Sequence, residues 1–461
     1  MIRFGCTAIN GLNACYHKAY MSNQFQLLKQ QRFRPFFFTQ FLGAFNDNVF
    51  KTALITLVAF HASSLSNVDG AKLATLLPGL FILPFFLFSA TAGQIADKYE
   101  KSQIIRLVKV FEIGIMLFAS AGFFLHNIWL LATALFMMGM HSTLFGPVKY
   151  AYLPQHLDTQ ELVGGNGMLE MGSFVAILLG QVLGAWLGMQ KSHEMLISFA
   201  VLGLAALGYW TSRGVPNSPA GAANLVINWN PVTETYRNLK QIWGQQSLWL
   251  AIIGISWFWF YGATLLAQFP NFAKNVLHGD ESVFILLLTV FSLGIGIGSL
   301  LCEKLSKHKV ELGLVLFGAI GLTLFGIDLY VSGAKLHAAL RASDLTQNYH
   351  TFLNHFAAWR LLADIALIGI FGGLYIVPLY AFLQTNAQTG FQSRVIAANN
   401  IMNALFMVIS AGFSLWIFSL GFNIPQLFLV TALLSALVAV YLCWRQPEFL
   451  NAFIQWVKVR I

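Results

Sequence analysis

Charged side chains are scarce in this chain of 461 residues: only 10% are Asp, Glu, Lys or Arg, against roughly 25% in an ordinary soluble domain. Hydrophobic residues make up 57% of the chain. Too few polar groups remain to cover a water-exposed surface, so the composition excludes a soluble globular domain and predicts a polytopic membrane protein. The apolar runs are about 20 residues long, which is typical of membrane-spanning helices rather than barrel strands.

Cysteine is also rare. The four cysteines are Cys6, Cys15, Cys302 and Cys443, and their positions match neither a disulfide framework nor a metal-binding motif. We expect all four to be reduced and structural, and we expect no cofactor and no metal site.

The formal charge of +9 is spread between the apolar runs, which indicates membrane topology and not a nucleic-acid partner.

The apolar runs predict an all-α polytopic membrane protein with twelve transmembrane helices in two pseudo-symmetric halves of six. The expected spans are roughly 36–61, 73–96, 103–125, 127–149, 164–189, 194–213, 247–273, 282–303, 310–332, 356–383, 395–421 and 424–444. The expected domains are an N-terminal tail (1–35), a first bundle (36–213), a linker with an amphipathic helix (214–246), a second bundle (247–445) and a C-terminal tail (446–461).

Basic residues are distributed unevenly between the two sides of the predicted membrane. An even number of spans places both termini on one side, which carries twenty Lys and Arg residues against five on the other, with two assigned to spans. Because cytoplasmic loops are enriched in basic residues, we expect both tails in the cytoplasm.

Three pairs of similar sequence elements, in the same order in both halves, indicate a duplicated six-helix unit. The stretch from Gly93 to Lys98 at the end of span 2 corresponds to the stretch from Gly298 to Lys304 at the end of span 8. Residues 161–166 correspond to residues 394–399, and Pro147 corresponds to Pro378. Matching elements in the same order are the mark of internal repeats in transporters.

The first span carries ionisable residues where lipid disfavours them. Its polar residues recur at helical spacing or flank that stripe: Gln40, Gly43, Asn46, Asp47, Asn48 and Lys51. A structural interpretation is an ion pair between Asp47 and Lys51, four residues apart, that orients the helix. A functional interpretation is a substrate or coupling-ion site.

Ionisable residues occur in other spans as well. Lys149, beside Pro147, is either an interfacial anchor or a contact for an anionic head group, and Glu170 must find a partner across the bundle or be protonated. Arg360 and Asp364 are spaced as an i,i+4 pair near the outer surface. Glu112 in span 3 receives no assignment from the sequence.

Gly93, Asp97 and Lys98 follow span 2 in an order that resembles the signature of the major facilitator superfamily. In that pattern a small residue lets helices touch, and the aspartate can pair across the bundle and influence which gate is shut. The resemblance implies gating roles for these three residues.

Four longer strings narrow the resemblance to the bacterial lysophospholipid transporters of that superfamily: FRPFFFTQFLGAFNDNVFKTAL, GPVKYAYLPQHL, VGGNGMLEMGSFVAILLG and RVIAANNIMNALFMV. The relatives most similar are often fused to an acyltransferase and an acyl-carrier-protein ligase. The resemblance implies that Asp47 and Lys149 contact substrate. The other substrate-binding candidates are Lys51, which shares the polar face of Asp47, and the residues that lie in these strings: Asn46, Asn48, Glu170, Asn399 and Asn403.

This resemblance implies movement of lysophospholipids from the outer to the inner leaflet of the bacterial inner membrane by alternating access, for reacylation inside. The implied partners are membrane lipids and a separate acyltransferase. The alternative is a proton-coupled carrier of drugs or soluble metabolites, with Asp47 or Glu170 titrating. Acyltransferase chemistry is not expected because no histidine precedes an aspartate by five positions; His156 with Glu161 is the nearest miss.

Overall fold

The computed structural model describes residues 24–65, 70–190, 193–340 and 346–459. The expectations for Cys6 and Cys15, and for the first part of the N-terminal tail, lie outside these residues. Within them the chain forms helices and no β-strand, which confirms the predicted all-α fold.

Six long helices form the first half, preceded by a short 3₁₀ helix at Gln24–Lys29. They are α1 (Arg34–Leu65), α2 (Gly70–Lys98), α3 (Lys101–Phe124), α4 (Ile128–His156), α5 (Leu162–Gly188) and α6 (His193–Ser212).

The linker contains α7 (Pro231–Trp243), and the second half follows it. Its helices are α8 (Gln246–Asn271, continued by one π turn to Val276), α9 (Glu281–Ser306), α10 (Gly313–Leu340), the short α11 (Tyr349–Leu353), α12 (Phe356–Asn386), α13 (Gln392–Ser419), α14 (Ile424–Arg445) and α15 (Glu448–Lys458).

Eleven helices in the described residues are long and apolar enough to cross a membrane. The remaining long helix, α1, has the predicted length for a span but carries Asn46, Asp47, Asn48 and Lys51 in its middle. A polar group in a spanning helix is tolerated when it faces other helices, so α1 must direct these side chains into the bundle.

Three glycines of α5 form the seam against α1. A Cβ atom on Gly180 would lie 2.7 Å from the Cβ of Asn48, one on Gly184 would lie 2.6 Å from the Val49 carbonyl oxygen, and one on Gly188 would lie 2.9 Å from the Cβ of Thr56. These distances leave no room for a side chain. The three glycines therefore form a packing seam that joins α1 and α5 closely within the first half.

The two halves contact each other at one end of the bundle, where α2 and α9 end and α5 and α13 begin; we call this end the closed face. A Cβ on Gly93 of α2 would lie 2.7 Å from the Cβ of Ala397 of α13. In the matching position, a Cβ on Gly167 of α5 would lie 2.5 Å from the Ser299 carbonyl oxygen of α9. Duplicated sequence elements therefore form two matching seams between the halves.

Helix α4 continues beyond its predicted end at residue 149 and runs through Pro147 and Pro154 to His156. Proline is tolerated inside a membrane helix when neighbouring groups satisfy the backbone that it frees. Lys149 therefore lies two turns inside the helix and not at its end.

The segments expected to be tails are partly structured. In the N-terminal segment, the amide of Gln24 donates to Leu300 O of α9 at 2.8 Å. At the other end, α15 packs on the start of α10, where a Cβ on Gly313 would lie 2.9 Å from the Ala452 carbonyl oxygen. Both ends of the described chain therefore rest on the second half, at the closed face.

The linker helix α7 begins as predicted, with Asn230 as N-cap and Pro231 in the first turn. It turns polar Glu234 and Asn238 toward the bundle, and the amide of Asn238 donates to Arg394 O at 2.9 Å. Three of its apolar side chains face outward, with Val232 76%, Tyr236 66% and Trp243 67% exposed, whereas Ile242 is fully buried. An outward apolar face on a helix flanking membrane spans is typical of a helix that lies in the lipid interface.

Candidate substrate pathway and gate

A cluster of charged side chains lies buried inside the first half. The ammonium of Lys109 donates to Glu112 Oε2 at 2.6 Å, and both side chains are fully buried. Asn46 of α1 donates to Glu112 Oε1 at 2.7 Å, and His141 Nε2 of α4 lies 3.3 Å from Glu112 Oε2. Glu112 is thus the centre of a network that joins α1, α3 and α4, and Asn46 belongs to this network.

Lys109 is absent from the sequence candidates because the basic-residue count places it, with Arg106, on the cytoplasmic side, although both residues fall inside the expected span 103–125. Both residues lie within α3. The sequence feature that could have identified Lys109 is its spacing of three residues from Glu112 inside an apolar helix, which places both side chains on one face. Gly43 of α1 leaves room for this lysine, since a Cβ there would lie 2.5 Å from the Lys109 ammonium nitrogen.

Asp47 pairs with α4 and not with Lys51. Its Oδ2 accepts a hydrogen bond from the Ser142 hydroxyl at 2.6 Å, while its Oδ1 is buried with no partner among the described residues. The Lys51 ammonium lies 5.3 Å from the centre of the Phe81 ring on α2. No ion pair between Asp47 and Lys51 occurs in the described part of the chain, so the structural interpretation of this pair is wrong.

Asn48 has a local role in the structure. Its amide donates to Ala44 O, four residues earlier in α1, at 2.8 Å, and its Cβ lies at the glycine seam with α5. The polar residues of α1 therefore divide among three neighbours: Asn46 contacts α3, Asp47 contacts α4, and Asn48 belongs to the packing with α5.

Lys149 joins α4 to α5 and α1 through one hydroxyl. Its ammonium donates to Ser173 Oγ at 3.1 Å, and that hydroxyl, which donates to Leu169 O at 2.8 Å, also lies 3.3 Å from Gln40 Oε1. The ammonium also lies 4.9 Å from the centre of the neighbouring Tyr150 ring. No carboxylate forms an ion pair with Lys149 within the residues that the structure describes.

Glu170 finds its partner across the bundle, as the sequence requires. The Tyr150 hydroxyl of α4 donates to Glu170 Oε1 at 2.6 Å. The Tyr150 ring stacks on Tyr380 of α12, with ring centres 4.2 Å apart and planes 7° apart, and the Trp259 indole of α8 donates to the Tyr380 hydroxyl at 3.4 Å. Glu170 and Lys149 therefore lie where the first half meets aromatic residues of the second.

Two asparagines of α13 lie on the second half's side of this region. Asn403 accepts a hydrogen bond from the Ser256 hydroxyl of α8 at 3.0 Å. Asn399 is fully buried within interaction range of the Tyr380 hydroxyl, although neither of its amide atoms makes a well-formed hydrogen bond among the described residues. The structure brings Asn399 near Glu170 through the tyrosine stack and leaves Asn403 within the second half.

A pair of amides joins the halves nearer the closed face. Asn166 of α5 donates to Gln384 Oε1 of α12 at 2.6 Å, and Gln384 donates back to Asn166 Oδ1 at 3.1 Å. Gln384 also donates to Tyr150 O at 3.1 Å. Neither residue is a site candidate in the sequence, because a reciprocal amide pair between residues 218 apart has no local sequence signal.

Asp97 connects the halves at the closed face. Its Oδ2 accepts from the Arg394 guanidinium at 3.0 Å and its Oδ1 accepts from the Ser393 backbone N–H at 3.0 Å. Gly93, one turn earlier, gives α13 the room to approach. Lys98 takes no part in these bonds, since its ammonium lies 5.7 Å from the centre of the Tyr99 ring.

Glu303 occupies the matching position at the end of α9. Its Oε2 accepts from the Gln24 backbone N–H at 3.0 Å, and its Oε1 lies 3.3 Å from His308 Nδ1. A Cβ on Gly164, at the start of α5, would lie 2.5 Å from Glu303 Oε1. Each seam of the closed face therefore contains a buried carboxylate opposite the start of a helix from the other half.

This two-half architecture agrees with the comparison to protein families, in which the model described as Major Facilitator Superfamily matches residues 36–340. The chain belongs to the Major Facilitator Superfamily. Among solved structures, the fucose transporter FucP in its outward conformation covers 90% of this chain and 98% of its own, with a TM-score of 0.66 and 13% identity. The proton:xylose symporter XylE covers 92% and 96%, with a TM-score of 0.65 and 13% identity.

Curated relatives from bacteria carry the printed name "Lysophospholipid transporter LplT". The relative from Enterobacter sp. is 25% identical over 387 residues, covering 81% of this chain and 85% of its own. The relative from Photorhabdus laumondii is 24% identical over 391 residues, covering 83% and 87%. The similarity therefore extends through most of both halves of this superfamily member.

At the face opposite the closed face, the charged residues pair differently from the expectation. Arg360 of α12 bonds both carboxylate oxygens of Asp328 on α10, and its side chain is 47% exposed. Asp364 is buried and accepts from the Ser332 hydroxyl at 2.6 Å. The expected Arg360–Asp364 pair is wrong because a carboxylate on the neighbouring helix engages the guanidinium in a bidentate manner, which is the stronger geometry.

Proposed function

We propose that this protein transports lysophospholipids from the outer to the inner leaflet of the bacterial inner membrane by alternating access, with both termini in the cytoplasm. The observation that carries the proposal is the position of Lys149 and Glu170, a basic and an acidic residue, inside spanning helices where the first half meets aromatic residues of the second. Relatives named lysophospholipid transporters, similar over 81% or more of this chain, support the substrate class.

Lys149 suits the phosphate of the head group. In the described structure its ammonium is bonded to a hydroxyl and no carboxylate. An ammonium at this depth is costly without an anionic partner, and a phosphodiester supplies both charge and hydrogen-bond acceptors. Substrate binding would therefore give the Lys149 ammonium the ion-pair partner that it lacks in the empty protein.

Asp47 and Glu170 suit the positively charged amine of a zwitterionic head group. Asp47 Oδ1 is buried and without a partner among the described residues, so it retains one acceptor for an ammonium donor. Glu170 Oε1 is taken by Tyr150, so its other oxygen, Oε2, is the one to receive a donor. Asn399, on the opposing half, is an adjacent polar contact when the halves rearrange.

The closed face defines the direction in our proposal. With the seams of α2 to α13 and α5 to α9 joined, a substrate reaches the central residues from the opposite, outer leaflet. Opening of the closed face then releases the lipid toward the cytoplasmic leaflet, where a separate acyltransferase would restore the second acyl chain. The basic-residue bias supports placing the closed face in the cytoplasm.

Uptake of labelled lysophosphatidylethanolamine by spheroplasts tests the proposal. Spheroplasts expressing the chain should take up the lipid faster than spheroplasts without it, and Lys149→Gln should remove most of the difference at equal expression. Lys335→Gln, which removes an exposed cation on α10, is the matched control and should keep wild-type uptake. Equal uptake with and without the chain would overturn the proposed substrate.

A further inference from the structure

A cavity of about 430 Å³ lies against α9 at the closed face. Its lining changes along α9 from charged residues, Lys304 and His308, to apolar residues, Ile297 and Leu301. Phe25 of the N-terminal 3₁₀ helix also lines the cavity. A cavity with a basic end and an apolar end has the character of a site for an amphiphile with an anionic head.

The basic residues of the cavity lie where α9 ends. Lys304 is exposed, and none of the residues that the structure describes forms an ion pair or hydrogen bond with its ammonium. Lys307 and His308 both adopt left-handed backbone conformations, with φ of 53° and 62°. These conformations are unfavourable for residues with side chains, and they fold the chain back so that His308 returns to the cavity.

The one carboxylate among the described lining residues is already engaged. Glu303 is 6% exposed, and its two oxygens face the Gln24 backbone N–H and His308 Nδ1 at 3.0 and 3.3 Å. An anion near Lys304 therefore does not meet an unpaired carboxylate. Lys304 is the lysine that lines the cavity, so its ammonium is the cation that an anion there would meet.

The apolar end lies on the lipid-facing side of α9. Ile297 is 50% exposed and Leu301, one turn later, is 38% exposed. Lys304 follows Leu301 by three residues, and residues at this spacing share one face of a helix. The apolar strip therefore leads directly to Lys304. An acyl chain lying along this strip places a lipid phosphate at the level of the basic end.

We propose that this cavity binds an anionic glycerophospholipid, with its phosphate at Lys304 and one acyl chain along Ile297 and Leu301. Basic pockets beside membrane helices on the cytoplasmic side are known to hold anionic head groups. The site lies outside the bundle and is separate from Lys149, so it is a site for a resident lipid rather than for the transported molecule. Because Gln24 and Glu303 join the cavity to the α5–α9 seam, the bound lipid would stabilise the closed face.

Thermal unfolding of the purified full chain in detergent tests the site, with added dioleoyl phosphatidylglycerol, dioleoyl phosphatidylcholine or inorganic phosphate. Phosphatidylglycerol should raise the unfolding midpoint more than phosphatidylcholine. In Lys304→Gln the apparent affinity for phosphatidylglycerol should fall about fivefold, which is the effect expected of one basic residue near a membrane surface. Lys309→Gln, the same charge change outside the lining, should respond as the wild type does.

A second variant tests the apolar half of the site. Ile297→Trp fills the strip at an exposed position, and it should weaken the response to phosphatidylglycerol while leaving any response to inorganic phosphate unchanged. Equal responses to phosphatidylglycerol in the wild type and Lys304→Gln would overturn the site. A midpoint shift with inorganic phosphate as large as that with phosphatidylglycerol would overturn the lipid as occupant and identify a site for free phosphate.

Discussion

The carboxylate of Asp97 accepts hydrogen bonds from the Arg394 guanidinium and the Ser393 backbone N–H, and in this way it ties the end of α2 to the start of α13. Asp97 is 2% exposed and Arg394 16% exposed, so the ion pair is poorly screened. We expect Asp97→Asn to weaken the closed face. Loss of a charge-assisted bond of this kind corresponds to a shift on the order of 10-fold in the open population.

Labelling of Ser393→Cys measures this shift, because the Ser393 side chain is fully buried at the seam. The reaction of this cysteine with a maleimide should be slow in the parent and faster when Asp97→Asn is added. Asp158→Asn removes an exposed carboxylate in the loop after α4 and should not change the rate. Equal rates in all three proteins would show that Asp97 does not hold the seam.

The buried pair of Lys109 and Glu112 should be essential to stability. Glu112→Gln leaves Lys109 without its carboxylate, and breaking one partner of a buried ion pair costs about 3–5 kcal/mol. The double variant with Lys109→Met should recover part of this loss. Unfolding of detergent-purified protein measures the cycle, with Glu281→Gln at an exposed helix start as the control. Additive losses would contradict coupling between the two side chains.

Asp47→Asn should fold normally and lose lysolipid uptake. Asparagine keeps an oxygen for Ser142, and no ion pair with Lys51 is broken, so the fold has little reason to change. The acceptor charge for the head group is lost, and uptake should fall on the order of 10-fold. Adding Lys51→Gln should not restore it. Wild-type uptake by well-expressed Asp47→Asn protein would exclude Asp47 from the pathway.

The proposed orientation predicts which cysteines react from outside the cell. In a background with the native cysteines replaced by alanine, Lys335→Cys near the end of α10 should react with an impermeant maleimide in intact cells. Lys309→Cys, in the loop before α10, should react only after permeabilisation. Both lysines are exposed. The reverse pattern would place the closed face outside.

Glu100, in the loop between α2 and α3, should make stability depend on pH. Burial alone would raise the pKa of its carboxyl, but bonds from the backbone N–H groups of Ser218 and Ser102 outweigh burial and lower that pKa. A lowered pKa stabilises the folded state above the ordinary glutamate pKa of about 4.3, and this contribution is lost as pH falls through the folded-state pKa.

Glu100→Gln should therefore lower the free energy of unfolding at neutral pH by about 1 kcal/mol or less, since the site is partly exposed. The difference from the wild type should shrink below about pH 4. Unfolding midpoints measured across pH test this, and a constant difference at all pH values would contradict the assignment.

Features that depend on local spacing or duplication could be predicted from the sequence. The glycine seam of α5 follows from three glycines four residues apart, and the two carboxylates of the closed face follow from the repeated stretches after α2 and α9. The residues that these carboxylates contact could not be predicted. Arg394 lies 297 residues from Asp97, and only the packing of the halves brings them together.

Two i,i+4 pairs can be read from the sequence, Asp47 with Lys51 as one of two interpretations and Arg360 with Asp364, and neither forms an ion pair in the described structure. Sequence spacing identifies groups that can meet on one helix, but in a packed bundle a neighbouring helix offers partners with better geometry. Asp47 bonds Ser142 of α4 and Arg360 bonds Asp328 of α10. The depth of Lys149 could not be predicted because a proline such as Pro147 ordinarily indicates a helix end.

The contact of Gln24 with α9 means that the polypeptide crosses from one half to the other before its first long helix begins. Opening the closed face must detach Gln24 from Glu303 and Leu300 or stretch the few residues that lead to α1. A domain fused ahead of Gln24 would therefore have to move with this segment each time the closed face opens. A fluorophore attached at that point would report each opening as a change in its distance from the end of α9.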